Sequence, residues 1–466
     1  MQEDIVDRPG APPHVVNSSA PRVPNAHLFD AGGQPMLLSV EQGRVYGIDA
    51  TLSETLDRTM AFGDADRVGL FMAMAGLAEG SALVEPPPTS VPVHALSLAV
   101  AQKCNLGCTY CYAQQGNFGG ADDSMSVDVA KAAVDRLLRD AAPGAKLTLA
   151  YLGGEPLANR SVLQSTTHYA AAQAASAGID IGFALTTNAT LLTAEDADFF
   201  ERYGFTVTVS IDGIGDVHDQ LRPFKSGHGS YQRVVERSQH LLSRSPRRCH
   251  VAARVTVTPR NLFLPQTLDA LAGLGFDGVA FSPVLSSPAG SDQMGRPEFE
   301  AMLAQLIACG REFERRLADG EVYPFSNMIN TLRQIHQGNR DAYPCGAGGG
   351  YLGVSAKGGL YACHRFVDDD LGATGNVIDG VDRSRQRQWL ADRNVHAQEP
   401  CRTCWARYLC SGGCHYEVIR KGRPACDYIR GWLHYCLGVY GTLVQSDRAL
   451  VDRVLQPRQT VRRQTQ

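Results

Sequence analysis

Short apolar runs and helical periodicities alternate along most of this chain. Between residues 94 and 290, strand-like runs at 95–101, 147–152, 181–186, 206–211, 250–257 and 278–284 are separated by helical patterns near 126–141, 161–177, 193–203, 230–243 and 263–273. Strands alternating with helices of this length form βα units on a parallel sheet. The pattern therefore predicts an α/β core, either doubly wound or curled into a partial (β/α)6 barrel. Both architectures place their sites beyond the carboxyl ends of the strands. Ahead of the core, 27–29, 36–40 and 45–48 read as short strands with turns at Gly32-Gly33 and Gln42-Gly43, followed by helical patterns at about 51–60 and 65–78.

Punctuation divides the chain. Residues 1–26 are rich in Pro, Ser and Asn without apolar periodicity and are expected to be disordered. The Pro-rich stretch 85–92 is stiff and extended, and closes a small unit at 27–85. After the core at 94–290 come a helical linker at 291–344, with a long helix near 296–318, and a Gly- and Cys-rich region at 345–440 poor in long periodic segments. The tail at 441–466 is locally basic and reads as a solvated end.

Composition narrows the class. The 466 residues are 44% hydrophobic and 20% charged, as in soluble globular proteins, and long enough for two or three domains. A net charge of −4 gives no nucleic-acid footprint. No apolar run reaches the roughly 18 residues of a membrane span. The opening Met1-Gln2-Glu3-Asp4 has no basic segment leading into an apolar one, so the expected location is cytoplasmic. In that reducing compartment thirteen cysteines point to metal or redox chemistry rather than disulfides. Three lie within 104–111 and eight within 345–436, while Cys249 and Cys309 stand alone and read as buried core thiols.

The first strand runs into Cys104-Asn105-Leu106-Gly107-Cys108-Thr109-Tyr110-Cys111. Three closely spaced thiolates on a Gly-containing loop can each hold one iron of a cubane cluster and leave the fourth iron open. A closed zinc site is the alternative, but it wants a fourth ligand that is not nearby. Gly153-Gly154-Glu155-Pro156 follows the second strand, where glycine permits close backbone approach and Glu155 can accept from an ammonium group. Asn188 ends the third strand, Ser210 and Asp212 the fourth, and Arg254 lies on the fifth. Strand-end turn chemistry alone also favours Asn, Ser and Asp.

The cysteine loop resembles the signature of the radical S-adenosylmethionine (SAM) superfamily. Cys104, Cys108 and Cys111 match its three cysteines, and Tyr110 matches the aromatic before the third. The resemblance implies that SAM chelates the open iron and is cleaved by one electron to a 5′-deoxyadenosyl radical. It also implies that Gly153, Gly154 and Glu155 hold the methionine amino group. Asn188, Ser210, Asp212 and Arg254 would then contact or support the ribose and carboxylate.

The second constellation is Cys345 and Cys363, then Cys401-x2-Cys404-x5-Cys410-x3-Cys414, then Cys426 and Cys436. It resembles the SPASM extension of radical SAM enzymes that mature peptides and proteins, which implies two auxiliary [4Fe–4S] clusters and three clusters in all. Zinc is again the alternative for the Cys-x2-Cys pair. By resemblance Cys345, Cys363 and Cys414 serve the nearer cluster, and Cys401, Cys404 and Cys410 the farther, with Cys426 matching the last cysteine of the motif. Cys436 is either a further ligand or a helix thiol. In the latter case the nearer cluster keeps an open iron.

The segments 344–352 and 361–367 look most like the thioether-forming maturation proteins of quinohemoprotein amine dehydrogenase. That likeness implies bonds from Cys sulfur to the β or γ carbon of Asp or Glu in a peptide or small Cys-rich protein, with an external electron donor. The unit at 27–85 is similar to the winged-helix leader-binding elements of such enzymes. Formylglycine-forming sulfatase maturases share the layout but usually carry Asp after the cysteine aligned with Cys363, where this chain has His364. An iron–sulfur electron-transfer protein is the reading outside enzymes, and it has no need of Gly153-Gly154-Glu155-Pro156.

Overall fold

A computed structural model describes residues 25–77, 87–287, 290, 292–447, 451–452 and 455. Most of the segment expected to be disordered, the start of the Pro-rich linker and most of the basic tail lie outside them. Asn25 and Ala26, however, are part of the fold. The N-terminal sheet is antiparallel, with β2 (Gln34–Ser39) between β1 (Ala26–Ala31) and β3 (Arg44–Gly47). Two helices follow, α1 (Ala50–Ala61) and α2 (Ala65–Met74). Asp49 and Asp64 cap them, accepting from Leu52 N at 2.8 Å and Arg67 N at 3.0 Å.

The core alternates β4 (Ala95–Gln102), a short β5 (Asp123–Ser124), α3 (Val127–Arg139), β6 (Lys146–Gly153), α4 (Arg160–Ser176), β7 (Asp180–Thr187), α5 (Ala194–Tyr203) and β8 (Thr206–Ser210). It continues through α6 (Asp216–Leu221), α7 (Tyr231–Leu242), β9 (His250–Val257), α8 (Leu264–Gly273) and β10 (Gly278–Pro283). The six long strands run parallel in the order β10-β9-β8-β7-β6-β4.

Burial along the strands decides between the two predicted architectures. A doubly wound sheet is covered on both faces. Here Val251, Ala253, Val255 and Val257 of β9 are buried while His250, Ala252, Arg254 and Thr256 are not, and β6 and β8 alternate similarly. Helices cover one face only, so the sheet is a partial barrel with an open interior. Outside it, Tyr151, Phe183, Phe199, Phe200 and Phe205 pack ring to ring. Each such side chain is worth about 1.5–3 kcal/mol of burial.

After α9 (Arg296–Ala318) and α10 (Ser326–His336), β11 (Tyr351–Val354) adds to the free edge of β4 in parallel. Antiparallel β12 (Gly359–Tyr361), β13 (Ala373–Asn376) and β14 (Gly380–Val381) extend the sheet further. The Cys-rich end is helical: α11 (Arg383–Arg393), α12 (Arg407–Cys410), α13 (His415–Lys421) and α14 (Cys426–Ser446).

The length of α14 corrects the expectation of few long segments and of a boundary at 440. Gly431, Gly438 and Gly441 interrupt its periodicity in the sequence. In the structure, glycine serves close packing: a Cβ on Gly441 would lie 2.6 Å from Ala31 Cβ. Through this contact the N-terminal sheet docks on α14, and Phe29, Ala31, Met36, Leu38 and Val40 join the main core. The Pro-rich linker therefore separates that unit in sequence but not in space. Cys249 and Cys309 are buried in the same core. Among the described residues no helix is long and apolar enough to cross a membrane.

Candidate active site

Beyond the carboxyl end of β4 the chain forms the loop that carries Cys104, Cys108 and Cys111. Backbone bonds pin it: Gly107 N donates to Pro223 O at 2.8 Å, Thr109 N to Leu221 O at 3.2 Å and Lys225 N to Asn105 O at 3.1 Å. Glycines let neighbouring backbone press against it. A Cβ on Gly154 would lie 2.3 Å from Lys103 O and 2.8 Å from Gly116 Cα, and one on Gly116 would lie 2.7 Å from Cys104 N. Gly153 is equally tight, its Cβ position being 2.3 Å from Ala101 O.

Three residues expected at the cofactor, Glu155, Asp212 and Tyr110, are tied into the protein by hydrogen bonds. Glu155 is fully buried, and its carboxylate accepts from Leu157 N at 3.0 Å, Thr187 Oγ1 at 2.8 Å and Asn188 N at 2.7 Å. It ties the ends of β6 and β7 together. Asp212, also fully buried, accepts from Thr256 N at 2.8 Å and from the Tyr110 hydroxyl, with Arg222 Nη1 at 3.6 Å. Arg222 Nη1 donates to Tyr110 Oη at 2.6 Å, which uses that hydroxyl within the protein as well. Burial disfavours the Arg222 charge, but Cys108, Tyr110 and Asp212 hold its proton affinity well above the usual arginine range. A cation thus sits beneath Cys108, where it favours a thiolate.

His218 completes this underside. Its Nδ1 accepts from Asp212 N at 3.1 Å, and the opposite Nε2 lies 3.0 Å from Ser230 Oγ, which donates to Arg222 O at 2.6 Å. Burial, then the Arg222 charge, push its pKa down to about 3, so the ring is neutral. Asn188 reaches the loop directly: its Nδ2 lies 3.6 Å from Cys104 Sγ and donates to Asn105 Oδ1 at 3.0 Å. Ser210 and Arg254 pair in register on β8 and β9, and Arg254 Nη2 donates to Ser282 Oγ at 2.5 Å.

The remaining cysteines gather in two groups. Burial raises the Cys363 thiol to about 12, and the nearby Cys414 and Cys345 sulfurs add to the rise. Cys401, Cys404, Cys410 and Cys426 form the second group: burial lifts Cys410 to about 12, with Cys401, Cys426 and Cys404 contributing. Cys436 belongs to neither. It is fully buried in α14, with Sγ 3.8 Å from Met328 Sδ, which corrects its inclusion among the ligands.

Side-chain contacts join the first loop to the Cys345/Cys363/Cys414 group. Tyr112, next to Cys111, packs edge-on against His364 at 5.8 Å between ring centroids and lies beneath the Arg365 guanidinium at 5.0 Å. Arg365 Nη1 is 3.8 Å from Cys414 Sγ, and Nη2 pairs with Glu417 at 2.5 Å. Sequence reasoning did not find Tyr112, Arg222, His218, Arg365 or Glu417; their adjacency to Cys111, Cys363 and Cys414 was the only signal, and only for some.

The residues fit iron–sulfur clusters. The amides of Leu106 and Arg365 donate to Cys104 and Cys363 Sγ, each at 3.4 Å, and those of Ala347 and Gly412 bond Cys345 and Cys410. In every case the donor lies two residues beyond the cysteine. Among the described residues, buried nitrogens of Arg222 (Nε), Arg365 (Nε), Trp405 (Nε1) and His415 (Nε2) make no hydrogen bond to protein and lie on or beside the cysteine segments, while Arg237 Nε lies elsewhere. Thiolate and sulfide acceptors would satisfy the first four. Among the described residues no three Cys, His, Asp or Glu side chains converge tightly enough for a single ion. Zinc with bonds of about 2.3 Å would draw its sulfurs to about 3.8 Å of one another. Thiols that interact at longer range suit a larger inorganic unit.

An open parallel barrel with a three-thiol loop at the end of its first strand is a radical SAM core. Residues 98–257 match the Radical SAM superfamily, whose cofactors are a [4Fe–4S] cluster and SAM. The chain is similar to the serine-type anaerobic sulfatase-maturating enzyme of Klebsiella aerogenes, with 23% identity over 75% of this chain and 86% of the relative. The serine-type anaerobic sulfatase-maturating enzyme of Bacteroides thetaiotaomicron is 28% identical over 75% of this chain and 89% of its own length. Among solved structures, anSMEcpe with bound AdoMet superposes with a TM-score of 0.64 at 18% identity, covering 76% of this chain and all of the other. SuiB of Streptococcus suis, also solved bound to precursor peptide SuiA, gives 0.52 at 10–12% identity over 86% of this chain and 97% of its own.

Proposed function

We propose that this chain is a peptide-modifying radical SAM enzyme that forms thioether bonds from a Cys sulfur to the β or γ carbon of Asp or Glu, as in quinohemoprotein amine dehydrogenase maturation. One observation carries the reading: Tyr112, His364 and Arg365 join the first loop to the Cys345/Cys363/Cys414 group by direct side-chain contact. When bound, SAM and the reduced cluster on the first loop supply a radical able to take hydrogen from carbon. The chain's own residues hold the parts in place. Asn188 and the Gly116–Gly154 contact fix the loop, Arg222 supports Cys108 from below, and Glu417 aims Arg365 at Cys414. SuiB and anSMEcpe, both solved with peptides, support a peptide substrate.

Formylglycine formation is the second reading, favoured by the names of the curated relatives. His364 in place of the carboxylate expected there argues for the thioether. Product analysis separates the two. The expected peptide is two hydrogens lighter per bond, loses one alkylatable thiol per bond and resists reduction, unlike a disulfide of the same mass. Full recovery of thiols after reduction, or an aldehyde trapped by a hydrazine, refutes the proposal. Replacing Cys104, Cys108 and Cys111 together by Ala should abolish 5′-deoxyadenosine formation while about two thirds of the iron remains.

A further inference from the structure

Arg365 lies just beyond β12, two positions after Cys363, and its side chain is held on every part that bears charge. The guanidinium lies between two aromatic faces, 5.0 Å from the Tyr112 centroid and 4.3 Å from that of Tyr416. Tyr416 is itself fixed edge-on against Phe366, with centroids 5.1 Å apart. From α13, the buried Glu417 pairs with Nη2 at 2.5 Å. A planar cation stacked and forked in this way loses little further freedom on making another bond. The fold therefore sets where its remaining donors point.

They point at sulfur. Nη1 donates to Cys414 Sγ at 3.8 Å and the Arg365 amide to Cys363 Sγ at 3.4 Å, so one residue serves two of the three thiols of the nearer group. The other nitrogen donors to cysteine sulfur described above are neutral: the amides of Leu106, Ala347 and Gly412, and the Asn188 side chain. At the four-sulfur group, Arg423 and Arg430 act on Cys426 through space. Their hydrogen bonds go instead to Gly412 O, Gln398 Oε1 and Asp427. A charged donor in direct contact with a thiol thus distinguishes the nearer group.

We propose that Arg365 is a positioning residue that raises the reduction potential of the iron–sulfur unit held by Cys345, Cys363 and Cys414. A cation beside the sulfurs favours the reduced form, which carries one more negative charge, and hydrogen bonds to the sulfurs act in the same direction. Glu417 opposes this in part, from the other guanidinium nitrogen. The proposal deepens the peptide-modifying reading and rests on it. Each thioether bond removes two hydrogens from the peptide: the adenosyl radical takes one as an atom, and the other leaves as a proton, to water, and an electron. Arg365 makes the group that meets the first loop the stronger acceptor for that electron.

The test is a redox titration of the holoenzyme followed by electron paramagnetic resonance, with iron counted, in wild type, R365Q, R365K and E417Q. The signal that responds to added SAM belongs to the first loop and is set aside. R365Q should disfavour reduction of one of the two remaining signals by at least about tenfold, which is about 59 mV for a one-electron couple. The other should stay within about twofold. R365K keeps the charge without the fork and should recover part of the shift. In E417Q the amide oxygen still accepts from Nη2, so Arg365 stays in place while the opposing charge is gone, and the same signal should become easier to reduce. Full iron in R365Q with neither signal shifted overturns the proposal. So does E417Q shifting the signal towards harder reduction, since two opposite charges would then act alike. If R365Q fails to hold iron, the sign of the E417Q shift decides. Potentials are read without peptide, so failure here leaves the thioether reading to be decided by product mass.

Discussion

Gly154→Ala tests the interlocked backbone beneath the first cysteine loop. The added methyl would stand 2.3 Å from Lys103 O and 2.5 Å from Lys103 C, where ordinary contact begins near 3.4 Å. Neither atom belongs to a flexible side chain, so the loop must retreat by about 1 Å. That movement strains two backbone bonds, Gly154 N to Ala101 O at 2.8 Å and Glu155 N to Lys103 O at 2.9 Å. Overpacking costs about 1–3 kcal/mol and each bond about 1 kcal/mol, giving about 2–5 kcal/mol locally. The functional loss should be larger, because a displacement of about 1 Å at a reacting group costs on the order of a hundredfold in rate. The assay is iron per chain together with 5′-deoxyadenosine released under dithionite. Gly273→Ala is the control: nothing lies within 4 Å of its Cβ position at the end of α8. It should keep full iron and gain up to about 1 kcal/mol from helix propensity. A Gly154→Ala protein with wild-type iron and wild-type SAM cleavage would refute the argument that this contact fixes the loop.

Cys436→Ser should retain the full iron content, since Cys436 lies against Met328 in α14 and apart from both thiol groups; loss of iron on elemental analysis would return it to the ligand set. Acid should destabilise the protein through His218. Its folded pKa of about 3 lies below the unfolded value near 6.5, so its stabilisation is complete above pH 6.5 and is lost as pH falls towards 3, by about 1.4 kcal/mol per unit. Comparison of urea midpoints of the holoenzyme and His218→Asn at pH 7.5 and 5.5 isolates this contribution, and equal pH dependence in the two proteins contradicts it.

The barrel was legible because its strands are covered on one side: β9 reads buried and open by turns, and the helices between strands carry strong apolar faces. The first cysteine loop was legible because its ligands are local. Long-range pairing was not. Nothing near Tyr110 points to Arg222, 112 positions away, or to Asp212, 102 positions away. The partners of Glu155 were hidden for a related reason: a Gly-Gly-Glu-Pro turn gives no sign that β7 brings Thr187 and Asn188 against it. The packing of Gly441 was equally hidden, because a contact with a sheet some 400 residues earlier leaves no trace in local periodicity.

The two thiol groups of the C-terminal region suggest a division of labour that bears on the proposed chemistry. Cys401, Cys404, Cys410 and Cys426 supply four sulfurs, enough to close a cubane without help. Cys345, Cys363 and Cys414 supply three, and Cys436, which could have made the fourth, points into the core. Only the incomplete group leaves a position for a sulfur from outside. It is also the group that meets the first loop, through Tyr112 and Arg365. A substrate cysteine placed there would stand beside the loop that carries the radical source. A Cys-to-Asp or Cys-to-Glu bond requires that geometry.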